Sequence, residues 1–399
     1  MTVSPLRIRT EMSRIHEAPG KVWFWELAAA VIDAGRCIQC GTCVAACPTD
    51  SIGIGSDDLP KLVKMCTGCS LCWDFCPRGG LRYEATWLPE EGERRLAGRV
   101  RPGSALASPA AQDGGLVSAI LLAALEAGDI DGAVVAREDP AHPRKGIAHL
   151  ATTAEEIHEA AGSFYNQTMA LAALDLSAAG LGKDARIAVV GTPCEIEGVR
   201  ALQAREWRRG ASRVDAVALT IALFCTKSFD YEGLVLGELR DKRGVAPEHI
   251  GKVDVIRGRM LVEDRRGEVL VDEPVKDFHG VALRGCDECA DFLGRAADLS
   301  IGSVGSAPGL SSVVVRTSTG ARALERAMPE LDLAPLDHPE AIDKLERHDR
   351  NVAEQALQRE LDPKGPLFIS YGEHVARYAG SDRAPWWQDG DGWEEEACS

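Results

Sequence analysis

Two cysteine runs near the N-terminus constrain the fold more than any other feature of the sequence. Both have the form C-x-x-C-x-x-C-x-x-x-C-P, and their cysteines are Cys37, Cys40, Cys43, Cys47, Cys66, Cys69, Cys72 and Cys76. Three cysteines at intervals of three wrap a tight loop around a cubane 4Fe-4S cluster, and the cysteine before proline binds the other cluster of two-cluster ferredoxins. We therefore expect a bacterial-type ferredoxin domain with two 4Fe-4S clusters.

The same rule divides the eight cysteines into two crossed sets. The first set is Cys37, Cys40, Cys43 and Cys76, and the second set is Cys66, Cys69, Cys72 and Cys47. Structural zinc also takes four cysteines, but its C-x-x-C pairs are usually separated by a long gap. Two adjacent clusters carry electrons rather than catalyse a reaction, so the source or acceptor of those electrons is expected in the rest of the chain.

The composition predicts a cytoplasmic protein from a reducing compartment. The chain has 13 cysteines, an odd number that favours metal ligands over a disulfide framework. Its charged N-terminus lacks the apolar core of a signal peptide, and no stretch reaches the roughly 18 apolar residues of a membrane span. A net charge of -16 argues against nucleic acid as a partner and favours basic docking partners. Contact with a membrane complex would require a partner protein.

Beyond the cysteine runs, strands alternate with helices. One helical face is predicted to carry Val117, Ile120, Leu121, Ala124 and Leu125, with Gly128 as the stop. "IDGAVVARE" reads as a buried strand. "ARIAVVGTPCEIEGVRAL" reads as strand, turn and helix, and "VDAVALTIALFC" as a strand ending in Cys225. This alternation is typical of an α/β core, where ligands bind at the carboxyl ends of the strands.

The sequence therefore predicts five regions. They are an N-terminal extension (1–30), the ferredoxin domain (31–86), a polar linker (87–110), an α/β (α+β) core (111–330) and a helical C-terminal region with an acidic tail (331–399). No G-x-G-x-x-G follows a strand, so nicotinamide binding is disfavoured. The glycine and serine clusters "QDGGLVSA" and "IGSVGSAPG" could each cradle a phosphate or form an ordinary turn.

Four more cysteines leave two interpretations open. Cys194 and Cys225 lie at predicted strand ends, and Cys286 and Cys289 form a C-x-x-C pair. Together they could bind a third cluster. Taken singly, free cysteines are commonly small buried hydrophobic residues.

Six segments of the chain resemble a known family. They are, in order, "QDGGLVSAILLAALEAGDIDGAVVA", "GSFYNQT", "VVGTPCEIEGV", "LFCTKSFDYEGL", "RGCDECADF" and "ADLSIGSVGSAPGLSSVVVRT". This order resembles the beta subunits of coenzyme F-420-reducing hydrogenase and F-420-dependent formate dehydrogenase over roughly residues 31–330. The ferredoxin front end is similar to that of the F-420 dehydrogenase input subunit of respiratory complexes and of the flavin half of F-420-dependent sulfite reductase.

The resemblance implies a flavoprotein core that holds FAD, a third 4Fe-4S cluster and a pocket for F-420, an 8-hydroxy-5-deazaflavin. The cluster ligands would be Cys194, Cys225, Cys286 and Cys289. The implied FAD contacts are Gly114, Gly115, Ser118, Ser163, Tyr165, Asn166, Gly191 and Thr192, with Ser303, Gly305 and Ser306 as further candidates. Glu195 departs from the family, which usually has Gln after the cysteine.

Basic residues near the cluster cysteines are candidates for binding the phosphate and glutamate tail of F-420. They are Lys227, Lys276 and Arg284, although each could equally be solvated or paired with a carboxylate. His279 could be a packed histidine or a proton donor. Because cofactors perform the chemistry, no catalytic acid or base is assigned.

The expected function is electron transfer between reduced F-420 and a redox protein partner or a larger complex. F-420 gives up two electrons at once whereas each cluster takes one, so FAD would stand between them. Two alternatives are a ferredoxin-dependent flavin reductase of an organic, tetrapyrrole-type substrate and a non-catalytic polyferredoxin relay. Trp23, Phe24 and Trp25 are predicted to dock a partner, and the tail "APWWQDGDGWEEEACS" is predicted to be mobile.

Overall fold

The computed structural model describes residues 22–79, 87–88, 92–108, 110–203 and 213–357. Its strands are β1 (Ile52–Ile54), β2 (Pro60–Leu62), β3 (Arg94–Val100), β4 (Gly132–Asp139), β5 (His142–Ala151), β6 (Ile187–Gly191), β7 (Val217–Leu223), β8 (Ile250–Ile256), β9 (Arg259–Asp264), β10 (Val269–Pro274), β11 (Leu299–Gly302), β12 (Ser311–Val315) and β13 (Leu331–Pro335). They form sheets of eight, three and two strands.

Helices alternate with these strands. The α-helices are α1 (Phe24–Leu27), α2 (Thr42–Ala46), α3 (Leu71–Asp74), α4 (Leu116–Glu126), α5 (Ala154–Glu159), α6 (Pro193–Gln203), α7 (Ser318–Ala327) and α8 (Pro339–Leu357). Ala28–Ile32 and Glu232–Lys242 have π-helical geometry. Short 3₁₀ turns are Ala170–Ala173, Arg213–Ala216, Pro247–His249, Val275–Val281, Arg284–Glu288 and Met328–Glu330. In the described part of the chain, no helix is both long and apolar enough to cross a membrane.

The eight-stranded sheet is the centre of the molecule. Its order is β13-β3-β12-β11-β7-β6-β4-β5, and the four strands β11, β7, β6 and β4 pair in parallel while the outer strands pair antiparallel. Side chains of a strand alternate between faces. Val134 and Val189 face one hydrophobic core, whereas their neighbours Val135 and Ala188 face the other. The predicted α/β core is therefore confirmed as a mixed sheet covered on both faces.

Two predicted segments differ from the structure. Part of the predicted linker forms β3, which pairs with β12 and β13 inside the large sheet. This stretch resembles a surface linker because it contains Arg94, Arg95 and Arg99, yet Ala97 is fully buried. The region predicted to be largely helical after residue 330 begins with strand β13 before α8, and the acidic tail lies outside the described residues.

The ferredoxin part packs directly on one face of the large sheet. Ala46, Leu71 and Phe75 belong to the same hydrophobic cluster as Ile196 and Val199 of α6. The approach is close at Gly198, where a Cβ atom would lie 2.3 Å from the Oγ1 atom of Thr42. The cysteine runs and the α/β core thus share one packed interior.

Candidate functional site

The first crossed set of cysteines is brought together as the spacing predicts. Its members are Cys37, Cys40, Cys43 and Cys76. Burial, reinforced by the nearby thiolate of Cys76, raises the pKa of Cys40 to about 12. The pKa of Cys43 is raised by burial and then by Cys40, Cys37 and Cys76. The last cysteine of the second run therefore reaches the first site, as in two-cluster ferredoxins.

The second set lines a small cavity of about 20 Å³. Its members are Cys47, Cys66, Cys69 and Cys72. Ser70, at a left-handed φ of 65°, turns the chain into α3 between the last two cysteines. Cys72 is buried while Cys69 is exposed, so this site reaches the surface.

Of the five other cysteines, the four that the structure describes form a third group. Burial raises the pKa of Cys194, and the thiolates of Cys40 and Cys289 add to the rise. The pKa of Cys225 is raised by burial, then by Cys286 and Cys289. The C-x-x-C pair and the two strand-end cysteines therefore lie together beside Cys40 of the first site.

Electrostatic effects between cysteines of different groups indicate that the three groups lie in series. Cys40 links the first site to the third, and the electrostatic effect of Cys72 on Cys43 links the first site to the second. Among the described residues, no three His, Cys, Asp or Glu side chains are arranged to hold a single metal ion.

Two buried arginines that the sequence analysis missed lie between the ferredoxin part and the C-x-x-C segment. The guanidinium of Arg36 donates to both carboxylate oxygens of Glu288, at 2.8 and 2.7 Å, and both side chains are fully buried. Arg78 donates through Nε to the carbonyl of Gly285 at 2.6 Å. Burial raises the pKa of Cys37 and of Cys289, and the positive charge of Arg78 opposes both rises. Arg78 therefore acts on the first and third sites together.

The predicted flavin loop at Gly114 and Gly115 is shaped by packing. A Cβ atom on Gly114 would lie 2.0 Å from the carbonyl oxygen of Gly98 in β3. Gly115 has a φ of 70° and begins α4, in which Ser118 is buried. Packing requires glycine at Gly114 and the left-handed φ favours it at Gly115, whether or not a ligand binds.

Predicted flavin contacts Tyr165 and Asn166 are held by protein groups. The amide of Asn166 accepts from the Gly146 N–H and donates to its carbonyl, both at 2.8 Å. The Tyr165 hydroxyl donates to Asp254 Oδ1 at 3.2 Å and accepts from the Val255 N–H at 2.9 Å. Together with Ser163, these residues line a small cavity of about 10 Å³.

Two buried polar atoms beside this cavity lack a hydrogen-bond partner. One is Oε1 of Gln112, whose Nε2 donates to the carbonyl of Val253 at 3.4 Å. The other is Nε of Arg144, which lines the cavity and donates through Nη2 to the carbonyl of Ser163 at 3.1 Å. An unmade buried hydrogen bond is costly, so one acceptor and one donor here fit a polar ligand. The sequence analysis identified neither side chain as a contact.

Gly191 and Thr192 belong to a hydrogen-bonded turn next to Cys194. The Thr192 hydroxyl contacts Gln167 Nε2 at 2.6 Å and Cys194 Sγ at 3.2 Å. Glu195 accepts from the Thr192 N–H at 2.8 Å and from the Ala170 N–H at 2.7 Å. Burial raises the pKa of Glu195 to about 7 despite these hydrogen bonds. The residue that departs from the family thus holds the cysteine turn in place.

The later serine and glycine candidates lie against the C-terminal helix. The Ser306 hydroxyl donates to the carbonyls of Ser303 and Leu310, at 2.9 and 3.0 Å. A Cβ atom on Gly305 would lie 3.1 Å from Ile342 of α8. This turn is closed by its own hydrogen bonds.

Two of the basic candidates lie close to the C-x-x-C pair. Lys227 forms an ion pair with Asp287, and Arg284 begins the 3₁₀ turn that carries Cys286. Lys276 is exposed in the preceding turn. The pKa of the nearby His279 is lowered by burial and by Lys227, which favours the neutral imidazole.

The aromatic residues before the first cysteine run differ in their exposure to solvent. Trp23 and Trp25 stack with ring centroids 4.8 Å apart, and Trp25 is 54% exposed. Phe24 is buried, so its predicted place on a docking surface is wrong.

Three family models match the chain. The 4Fe-4S dicluster domain matches residues 30–82, and the N-terminal and C-terminal parts of the coenzyme F-420 hydrogenase/dehydrogenase beta subunit match residues 103–175 and 184–338.

Two proteins with similar sequences are named for coenzyme F-420. The chain is 32% identical over 310 residues to a coenzyme F-420-dependent sulfite reductase of Methanocaldococcus jannaschii, with 74% of the chain and 46% of the relative aligned. It is 30% identical over 332 residues to one of the subunits of the F(420)H(2) dehydrogenase of Methanosarcina mazei, with 79% of the chain and 90% of the relative aligned.

A solved structure shares the fold. A chain of the F-420-reducing [NiFe] hydrogenase complex from Methanosarcina barkeri matches with a TM-score of 0.61 and 28% identity, covering 66% of the present chain and 90% of its own. The present chain belongs to the family of coenzyme F-420 hydrogenase/dehydrogenase beta subunits, which are oxidoreductases.

Proposed function

We propose that the chain transfers electrons between coenzyme F-420 and a one-electron protein partner, with FAD and three 4Fe-4S clusters as its cofactors. The serial arrangement of the cysteine sites carries this proposal. Cys40 acts electrostatically on Cys194 and Cys72 on Cys43, and Cys69 is exposed, which supports a series from the α/β core to the surface. Such a series suits electron transfer over a distance rather than a single catalytic centre.

The third group of cysteines is the proposed inner cluster site, and FAD is proposed to bind beside Gln112, Arg144 and Tyr165. The two unsatisfied polar atoms there support this placement. The cavity is too small to hold the whole dinucleotide, so we assign to its edge one end of FAD. When bound, FAD exchanges electron pairs with F-420 and single electrons with clusters.

The protein's own groups would set how readily each site accepts an electron. Backbone N–H groups of Gln39, Ser51 and Gly68 donate to the sulfur atoms of Cys37, Cys47 and Cys66, at 3.4, 3.2 and 3.4 Å. Hydrogen bonds to the sulfurs are one of the factors that set cluster potential. Arg78 adds a positive charge near two of the sites.

Lys227, Lys276 and Arg284 remain the proposed contacts for the anionic tail of F-420. To bind the anionic tail, Lys227 would have to break its ion pair with Asp287. Lys276 makes no ion pair with any residue that the structure describes, and it is the most accessible of the three.

Names of the relatives support F-420 over a tetrapyrrole-type substrate. Both the sulfite reductase and the dehydrogenase are named for F-420. The chain spans 46% of the sulfite reductase, and we do not assign sulfite reduction to it.

The test is an anaerobic titration of purified protein with reduced F-420, together with counts of iron and released flavin. Three cubane clusters require about twelve irons per chain. We expect reduced F-420 to bleach both the flavin and the cluster absorption. Dithionite serves as the control that shows the cofactors to be reducible. If dithionite or reduced ferredoxin bleaches the protein while reduced F-420 does not, the proposal fails and the ferredoxin-fed reductase is the better interpretation.

A further inference from the structure

We propose that an apolar, lysine-bearing surface beside Cys69 docks an acidic one-electron carrier protein. We call it the exit surface, and it consists of Trp25, Lys61, Leu62, Val63, Lys64 and Met65. The inference rests on the proposed function only in taking the second cysteine site to be the outer end of the series.

The exit surface exposes large apolar side chains that a folded protein normally buries. Met65 is 89% exposed, Val63 55% and Trp25 54%. Leu62 adds a fourth exposed apolar residue at 37%. Contiguous exposed apolar groups mark sites of protein association.

This surface surrounds the most exposed part of the second site. Leu62 lines the same cavity as Cys66 and Cys69. On the other side, Trp25 stacks on Trp23, and the Trp23 ring would lie 2.7 Å from a Cβ atom on Gly68. Apolar groups therefore flank the loop from Cys66 to Cys69 on two sides. A carrier seated there would lie against the exposed Cys69.

Hydrogen bonds fix the exit surface relative to the second site. The N–H groups of Val63 and Lys64 donate to the carbonyl of Ser51, at 2.9 and 3.4 Å. The N–H of the same Ser51 donates to Cys47 Sγ at 3.2 Å. The surface and a candidate cluster ligand are thus joined through one residue.

The local charge of the exit surface selects the kind of carrier. Lys61 and Lys64 are exposed and pair with no carboxylate in the described part of the chain, and the segment from residue 60 to 69 contains no Asp or Glu. Asp57 is the acidic side chain close to Lys61, since both approach Gly55. The net charge of -16 lies mostly elsewhere. At about 0.1 M salt, charges more than about 10 Å away are largely screened. The two lysines therefore favour an acidic partner at the contact.

The test measures electron transfer out of the second site without F-420. Cluster-loaded protein is reduced with dithionite, freed of excess reductant, and mixed with an acidic ferredoxin or a basic cytochrome c at about 0.1 M salt. We expect the double variant Lys61→Glu/Lys64→Glu to slow transfer to the acidic ferredoxin at least about tenfold and to speed transfer to the basic cytochrome. Met65→Ser should slow transfer to the ferredoxin on the order of fivefold without a charge effect.

Matched variants far from the exit surface separate a local effect from a general one. Lys183→Glu reverses another exposed lysine and Met328→Ser removes another exposed methionine, and neither should change either rate. Iron content and the visible spectrum establish that each variant is loaded.

Two results would overturn the inference. One is equal rates for both carriers in the wild type and in the double variant. The other is a wild-type dimer in light scattering that Met65→Ser converts to a monomer, because the surface would then bind a second copy of the chain. Either result leaves the proposed reaction with F-420 untouched, since no step of this experiment uses F-420.

Discussion

Arg78 places a positive charge between two of the proposed cluster sites. Its positive charge lowers the pKa of Cys37 in the first site and of Cys289 in the third, opposing the rise from burial. Its Nε donates to the Gly285 carbonyl at 2.6 Å. A buried cation stabilises the reduced, more negative form of a neighbouring cluster. Arg78 would therefore raise the potential of a cluster bound at either site.

Arg78→Gln should lower the midpoint potentials of the first and third clusters. Losing one charge at this range changes the free energy of reduction by about 1–2 kcal/mol, or on the order of 40–90 mV for one electron. Redox titration followed by electron paramagnetic resonance measures the shift, and Arg78→Lys should largely preserve the potentials. Equal potentials in the Gln variant and the wild type would contradict this role.

Glu156 ties stability to pH away from the cysteine sites. It accepts from the N–H groups of Thr152 and Thr153, at 2.7 and 3.1 Å, and these bonds lower its pKa from 4.5 to about 2. Because the folded pKa is below the unfolded one, the stabilisation is complete well above pH 4.5 and is lost as the pH falls towards 2.

Glu156→Gln should destabilise the protein by about 0.5–1 kcal/mol at pH 7, since a charge-assisted helix cap is weakened. The difference from the wild type should shrink at pH 4. Thermal unfolding at both pH values measures it, and Glu155→Gln on the exposed side of the same turn is the control. A difference that grows as the pH falls would exclude the cap as its source.

At the scale of elements, local signals in the sequence identified most of the core. The predicted helix and its Gly128 stop are confirmed by α4, which ends at Glu126 before Gly128 with φ of 66°. The helix is buried on nearly every side, whereas the sequence predicted one apolar face, and Val117 and Leu125 of that face are only partly buried. The Gly-Thr-Pro-Cys turn between β6 and α6 is confirmed as well. The sequence analysis missed strand β3 because its buried stretch is short and is flanked by arginines. Its position is set by pairing with β12 and β13, which lie more than 200 residues away in the sequence.

The contact between α2 and α6 depends on the absence of a side chain at Gly198. Gly198→Ala would add a Cβ atom 2.3 Å from Thr42 Oγ1, and Thr42 is fully buried. We expect a loss of about 1–3 kcal/mol through overpacking, which outweighs the gain of roughly 1 kcal/mol in helix propensity. Thr42 Oγ1 lies 3.2 Å from Cys40 Sγ, so iron content should fall too.

Unfolding midpoints and iron counts of the single and double variants measure this contact. Thr42→Ala should partly rescue Gly198→Ala, because it makes room for the new methyl group. Gly182→Ala, with no atom within 4 Å of its added Cβ, is the control. Independent effects of the two substitutions would exclude the proposed clash.

At the scale of the whole molecule, a buried ion pair joins the ferredoxin part to the C-x-x-C segment. Arg36 precedes the first cysteine and Glu288 lies between Cys286 and Cys289. Removing one partner leaves the other charge buried without its ion pair. The pair therefore couples the placement of the first and third sites.

Glu288→Gln should cost about 3–5 kcal/mol, whereas the double variant Arg36→Met/Glu288→Leu should lose much less, because no buried charge remains. Anaerobic thermal unfolding of the loaded protein measures both. Glu346→Gln breaks the less deeply buried Arg295–Glu346 pair and tests whether any broken ion pair has the same effect. We expect a smaller loss of stability there. Equal losses in the Glu288 single and the double variant would contradict the account.

Spacing in the sequence predicted which cysteines to group, but not the order of the groups. The adjacency of Cys40 to Cys194 arises only from the packing of the ferredoxin part on the sheet. The same holds for Gln112 and Arg144, which the fold brings to one cavity edge from distant segments. Residues that act through tertiary contacts leave no periodic or motif signal in a single sequence.

The most direct test of the central claim is rapid mixing of reduced F-420 with two loaded variants, followed by electron paramagnetic resonance of the clusters. Cys225→Ser disturbs the proposed inner site and Cys69→Ser the outer one. The account predicts that Cys225→Ser blocks reduction of the ferredoxin clusters by F-420, while Cys69→Ser still accepts electrons at the inner site but fails to pass them to an external carrier. Reduction of both ferredoxin clusters at the wild-type rate in Cys225→Ser would contradict the series.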